Sequence, residues 1–209
     1  MRYTTIFNDP YNRSNITHSS VYWDDGFTED ELNSIVRYCE SQDLEIAKTI
    51  GFKDEEELKK IRISDIKFFN RTTETAWIFD KLNFIIQSAN EMFYGFELNG
   101  YDSFQYTTYD ASKNGKYEWH IDMTLGNIDN SSIFETRKLS LSLLLNRPEI
   151  DYEGGNFEIN TGNQNQPIQV ENKFGRSILF PSFVCHRVAP VTKGIRKSLV
   201  VWVTGPKFI

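Results

Sequence analysis

A chain of 209 residues with 39% apolar and 14% aromatic side chains can bury a sizeable core, and all-β barrels commonly run to about 200–250 residues as one domain. The formal net charge of −6 and a pI near 5.2 give no basic footprint for nucleic acid. There is no signal peptide and no apolar run near the roughly 18 residues that a membrane span needs. The expectation is therefore a soluble protein of the reducing cytoplasm, although the sequence alone does not say whether Cys39 and Cys185 are paired.

Taken in order, Met1–Asp25 is polar and reads as a surface arm or part of a substrate lid, with a short strand at Ser20–Trp23. Thr28 opens a helix, because Thr28-x-x-Glu31 is a capping box and Leu32, Ile35, Val36 and Cys39 follow at helical spacing. Asp54–Lys60 is a short charged helical turn and Ile61–Phe69 a strand. A longer helix is expected over Glu74–Phe96, with Ile78, Leu82, Ile85, Ala89, Met92 and Phe96 on one packing stripe.

Beyond Gly100 the pattern turns to strands. Tyr101–Tyr109 is strand-like, Asp110–Lys116 turns the chain, and Tyr117–Asp122 forms the next strand. Met123–Thr136 is a loop long enough to have a function. Arg137–Asn146 places Ser140, Ser142 and Leu144 on one face and Leu141, Leu143 and Leu145 on the other, one of which should line a pocket. Pro148–Gly155 is an acidic turn, Asn156–Asn160 a short strand, Thr161–Gln166 a hairpin and Ile168–Val170 a strand. Ile178–Val188 and Gly194–Val203 close the series. About eight strands with helices gathered before them suggest an α+β, mainly β fold: a double-stranded β-helix, or jelly roll, with the N-terminal helices packed on one sheet. The domain is read as one, 1–209, with helical support over about 1–100 and the catalytic core over about 101–206.

The chemistry centres on Trp119-His120-Ile121-Asp122. On a strand, His120 and Asp122 project to the same side. His186, one of only three histidines, lies on a second strand-like run. Two imidazoles and a carboxylate with open positions form the facial triad of non-heme Fe(II) oxygenases. Arg196 follows ten residues after His186 in an otherwise apolar strand, and a buried guanidinium needs an anion.

These residues resemble, in type, order and spacing, the prolyl 4-hydroxylase branch of the 2-oxoglutarate and Fe(II)-dependent dioxygenases. Gly154-Gly155-Asn156-Phe157 looks like that family's Gly-Gly lead into a strand, and Trp202 falls six after the basic residue. The resemblance covers about Tyr101–Pro206. It implies that His120, Asp122 and His186 bind Fe(II), that Arg196 holds the far carboxylate of 2-oxoglutarate, and that O2 takes the last iron position. Ser198 adds a hydrogen bond to that carboxylate, and Tyr109, or alternatively Tyr106 or Tyr117, donates to it. Leu144, Phe157, Val188 and Trp202 complete the cofactor pocket, and ascorbate is brought in as a reductant.

The implied reaction is hydroxylation of C4 of a prolyl residue in a peptide or protein, with release of succinate and CO2. Lysyl or free amino acid hydroxylation, a zinc hydrolase and an inactive jelly-roll binding module are the alternatives. Nucleic-acid demethylases of the superfamily carry a second arginine where Trp202 stands here, which argues against that substrate.

Overall fold

The capping box forms as the sequence reads. The Thr28 hydroxyl accepts from the Glu31 N–H at 3.3 Å, and the Thr28 N–H donates to Glu31 Oε2 at 2.8 Å. This starts helix α1, Glu29–Glu40, which buries Leu32, Ile35 and Cys39. Asp54 caps the short α2, Glu55–Ile61, through the Glu56 N–H.

The third helix, α3, runs over Ala76–Ala89 and continues as one π-helical turn, Asn90–Tyr94. Ile78, Leu82, Ile85 and Ala89 are buried as expected, but Met92 is 58% exposed and Tyr94 is buried instead. The cause is the π turn: the Gly95 N–H reaches back five residues to the Asn90 carbonyl at 2.7 Å, which puts later residues out of phase with the α-helical stripe.

This computed structural model describes residues 18–41, 43–47, 54–123, 135–163 and 165–206. Most of the arm at Met1–Asp25 and of the loop at Met123–Thr136 lies outside the described residues. The strands are β1 Val21–Trp23, β2 Glu45–Ile46, β3 Arg62–Ile63, β4 Asp65–Phe69, β5 Gly100–Asp110, β6 Lys116–His120 and β7 Glu135–Leu144. They continue with β8 Tyr152–Gly154, β9 Phe157–Ile159, β10 Ile168–Val170, β11 Ser177–Pro181, β12 His186–Val188 and β13 Val191–Pro206. The larger sheet has the order β1-β11-β7-β13-β5-β4-β2, with β8 paired to β13. The smaller has the order β10-β9-β12-β6-β3, and every ladder is antiparallel.

Side-chain alternation divides the interior in two. Leu139, Leu141, Leu143, Leu145, Leu199, Val201 and Val203 point to the helical side and pack with α1 and α3. The opposite face of the larger sheet meets the smaller one around Tyr109, Leu144, Phe157, Phe180 and Val188. Two facing antiparallel sheets with helices outside one of them are the expected double-stranded β-helix.

Three stretches differ from the expectation. Ile61–Phe69 is not one strand, since Ile61 ends α2 while β3 and β4 belong to different sheets. Ile178–Val188 also divides. β11 ends at Pro181, the Ser182 N–H still donates to the Lys138 carbonyl at 3.0 Å, and a turn closed by Val184 N–H to the Pro181 carbonyl at 2.8 Å carries the chain over to β12. Within Pro148–Gly155, Tyr152–Gly154 forms β8 against β13. A break at 182–185 is what allows β11 to stay in the larger sheet while His186 enters the smaller.

Candidate metal and cofactor site

His120 ends β6 and His186 opens β12, and the two are direct partners in the antiparallel ladder. Their ring centroids lie 4.2 Å apart. Asp122 stands two residues past His120, beyond the end of β6 rather than on it as the strand reading expects. It is held there because the N–H groups of Asp122 and Met123 both donate to the Ser182 carbonyl at 2.9 Å. Asp122 Oδ1 then lies 3.7 Å from His120 Nε2, and Oδ2 lies 3.7 Å from His186 Nε2. The three ligand atoms are all within 4.8 Å of one another, the arrangement a single metal ion requires.

The protonation states suit a metal. His120 Nδ1 is 2.7 Å from the Glu118 carbonyl and His186 Nδ1 is 2.9 Å from the Val184 carbonyl. Each Nδ1–H therefore donates to backbone, which leaves the Nε2 lone pair facing the centre, the usual outer support of metal-bound imidazoles. Burial, and then the neighbouring His186, push the His120 pKa down to about 3, so that ring is neutral. Burial works to raise the Asp122 pKa, but His186, His120 and the Ser140 hydroxyl outweigh it and hold the carboxyl below its ordinary value. Two imidazoles and one carboxylate fit Fe(II).

The second half of the site comes from β13. Its even-numbered residues, Arg196, Ser198, Val200 and Trp202, line the pocket that contains the three ligands. Arg196 is 1% exposed. Its Nη1 donates to Ser198 Oγ at 3.1 Å, its Nε has no partner among the described residues, and no described carboxylate pairs with it. So large a buried cation without an anion is costly, which makes this a place for an incoming carboxylate. Gly155 makes room for it: a Cβ there would lie 2.8 Å from Arg196 Cδ, and the residue has φ +61°. The Gly-Gly lead-in thus has a steric reason next to the cation.

Tyr109 is the ladder partner of Arg196 and lies beneath its guanidinium, 5.7 Å from ring centroid to Cζ. Tyr117 also lines the pocket, stacked on His120 with centroids 3.5 Å apart. Tyr106 does not, because it is on the other face of β5 and its hydroxyl donates to Glu40 at 3.0 Å. Phe157, Val188 and Trp202 line the pocket. Leu144 is buried in the apolar cluster between the sheets but is not among the lining residues.

Three polar residues near the ligands, Arg62, Gln105 and Ser182, carry no signal in the reading of the sequence, whereas Ser140 reads as part of a strand face. Arg62 and Gln105 line the pocket, and Ser140 and Ser182 hydrogen-bond each other at 2.9 Å behind Asp122. Arg62 was hidden in a stretch read as one strand. A buried serine looks like any other serine until its partners are known.

Residues 104–204 match the family model described as the 2OG-Fe(II) oxygenase superfamily. Over this stretch the chain is similar to the 2OG-Fe(II) oxygenase superfamily. Among curated relatives, a PKHD-type hydroxylase from Alteromonas mediterranea is 35% identical over 92 residues, covering 44% of this chain and 39% of that protein. One from a Psychrobacter species is 38% identical over 87 residues, covering 42% and 32%. The chain thus matches less than half the length of these relatives.

Among solved structures, a Pseudomonas putida prolyl-4-hydroxylase is similar, with a TM-score of 0.68 at 18% identity over 91% of this chain and 95% of that one. A prolyl hydroxylase from Trichoplax adhaerens, solved with a fragment of hypoxia inducible factor, gives 0.68 at 17% identity over 90% and 84%. Those likenesses establish the fold. Together with the relatives they support the resemblance to the prolyl 4-hydroxylase branch.

Proposed function

We propose that this chain is a 2-oxoglutarate- and Fe(II)-dependent dioxygenase that hydroxylates C4 of peptidyl proline, releasing succinate and CO2. The observation that carries the reading is the shared pocket: the two imidazoles and the carboxylate face the same space as a fully buried Arg196 with which no described carboxylate pairs. His120, Asp122 and His186 would hold the iron. When bound, iron with 2-oxoglutarate and O2 supplies the oxidising power for an unactivated C–H bond.

The chain's own residues bind, orient and exclude water. Arg196 pairs with the far carboxylate of 2-oxoglutarate in the two-pronged geometry that guanidinium favours, and Ser198 fixes the guanidinium from one side. Tyr109 lies along the same wall. Phe157, Phe180, Val188, Val200 and Trp202 make the remaining wall apolar, which keeps water from the reacting centre. Ascorbate as a reductant enters through the family resemblance.

A peptide substrate is supported by analogy with the Trichoplax adhaerens enzyme, which was solved with a peptide fragment. Proline-rich peptides are already extended and lose little entropy on entering a groove. Hydroxylation of another residue, such as lysine, or of a free amino acid is the second reading, since the pocket's walls name no side chain. A zinc hydrolase finds less support. It would need a general base, and among the described pocket residues the one carboxylate is Asp122 itself. Both cysteines are free thiols, which supports a reducing, cytoplasmic setting. Among the described residues no helix is long and apolar enough to cross a membrane.

The test is a screen of proline- and lysine-containing peptides and free amino acids with the Fe(II)-loaded protein, read by mass for a gain of one oxygen and in parallel for succinate. Oxygen gain on proline supports the proposal. Gain only on another residue moves the substrate, and turnover of none, with no succinate, overturns the activity.

A further inference from the structure

Arg62 is a second buried cation in the pocket, and it comes from outside the segment that matches the family. It is 7% exposed. Its Nε donates to Ser64 Oγ at 2.8 Å and its guanidinium lies over the Tyr117 ring, 4.6 Å from the centroid. Among the described residues no carboxylate pairs with it. A hydroxyl and an aromatic face are weak substitutes for an anion around a guanidinium removed from water.

Its position separates it from Arg196. In the smaller sheet the lateral order β12-β6-β3 puts His186, His120 and Arg62 on successive strands, so Arg62 lies on the far side of His120 from His186, on the edge strand. With strands about 4.8 Å apart, the Arg62 strand stands roughly one strand width beyond the metal ligands. Arg196 belongs to the opposite sheet, with Ser198 and Tyr109. Two cations on opposite walls, with the ligands between them, suit two anionic molecules rather than one.

We propose that Arg62 receives a carboxylate of the substrate, while Arg196 receives that of 2-oxoglutarate, so that the molecule hydroxylated here carries a carboxylate close to the reacting carbon. The inference rests on the oxygenase reading above. The carboxylate is either the α-carboxylate of a chain end or free amino acid, or the side chain of a neighbouring acidic residue. The stacked series Arg62, Tyr117, His120 would place that anion beside the metal ligand, so its capture and the orientation of the C–H bond would be one event.

The experiment uses the full chain loaded with Fe(II) and 2-oxoglutarate under nitrogen, titrated calorimetrically with three probes. These are N-acetylproline, its neutral methylamide, and N-acetyl-Pro-Glu-amide. At least one acidic probe is expected to bind more tightly than the methylamide, and R62Q to weaken it by about tenfold or more, the worth of one charge-assisted hydrogen bond. R62K should recover part of the loss. The acidic probe that depends on Arg62 identifies the source of the carboxylate.

Binding of 2-oxoglutarate and of Fe(II) is expected to stay within about twofold of wild type in R62Q, because their ligands lie elsewhere. Equal binding of acids and amide, binding of none of them, or an acid preference that survives in R62Q would overturn the proposal. So would a loss of 2-oxoglutarate or Fe(II) affinity as large as the loss of probe, which would assign Arg62 to the cofactor or to the packing of Tyr117. Failure of the oxygenase reading is distinguishable, since it would show as absent succinate formation in wild type whatever the probes do.

Discussion

His120 and His186 are 66 residues apart in sequence and directly opposite one another in the β6–β12 ladder. Residues paired across antiparallel strands have their side chains about 4.5–5.5 Å apart at Cβ, so the ladder register itself sets the spacing of the two imidazoles. Asp122 then completes the set from the loop after β6.

That arrangement makes His186 one of the three ligands of the proposed metal site. His186→Ala is expected to weaken Fe(II) binding and lower turnover together by more than about 100-fold, beyond the 10–100-fold typical of outer-layer partners. An anaerobic Fe(II) titration beside a turnover assay checks this, and wild-type turnover at limiting Fe(II) would show the ligand to be misassigned.

Arg196→Ala is expected to raise the 2-oxoglutarate requirement by about 30-fold or more. It leaves a carboxylate unpaired in a closed site at about 2–5 kcal/mol. Arg196→Lys should fall between, because a point charge does not copy the fork. Dependence of succinate formation on 2-oxoglutarate measures both. An unchanged requirement would move the carboxylate site elsewhere.

Ser140 and Ser182, both fully buried, hold Asp122 from behind through the Ser140 hydroxyl and the Ser182 carbonyl. Ser140→Ala is expected to lower Fe(II) affinity by roughly 10-fold or more, with global stability down by about 1–2 kcal/mol. Fe(II) titration and urea unfolding separate the two effects. Unchanged Fe(II) affinity would mean that the carboxylate needs no such support.

Much of this was legible beforehand because it is local. The Thr28–Glu31 box, the alternation of Ser142 and Leu143 on β7, the step from His120 to Asp122 and the ten-residue step from His186 to Arg196 are all written in nearby residues. What was not legible depends on events between distant segments. The π turn after Ala89 moved Met92 out of the core, the turn closed by Val184 and Pro181 divided a run that reads as one strand, and Arg62 met Tyr117 only through the pairing of β3 with β6. Asp122 lies near His120 as its spacing suggests, but it is held there by Ser182, 60 residues on, which no periodicity reveals.

Asp24 ties the end of β1 to the rest of the fold. Arg176 donates to it from Nε at 2.8 Å and from Nη2 at 2.9 Å. These hydrogen bonds hold the Asp24 pKa at about 2 against an ordinary 3.8. A depressed carboxylate stabilises the fold above its unfolded pKa and loses that contribution as pH falls through the folded value. Asp24→Asn should therefore cost about 2 kcal/mol at pH 7. The difference from wild type should shrink between about pH 4 and 2, as urea unfolding at several pH values would show. A pH-independent difference would assign the loss to something other than the ion pair.

The central claim is that one pocket holds Fe(II) on His120, Asp122 and His186 and 2-oxoglutarate on Arg196. Its most direct measurement is succinate formed from 2-oxoglutarate by the Fe(II)-loaded protein in air, for wild type, His186→Ala and Arg196→Ala side by side. The account predicts succinate from wild type, a near-complete loss in His186→Ala at any 2-oxoglutarate concentration, and a loss in Arg196→Ala that excess 2-oxoglutarate recovers. Succinate formation of equal size in all three proteins, or none in wild type with every substrate of the screen, would contradict it.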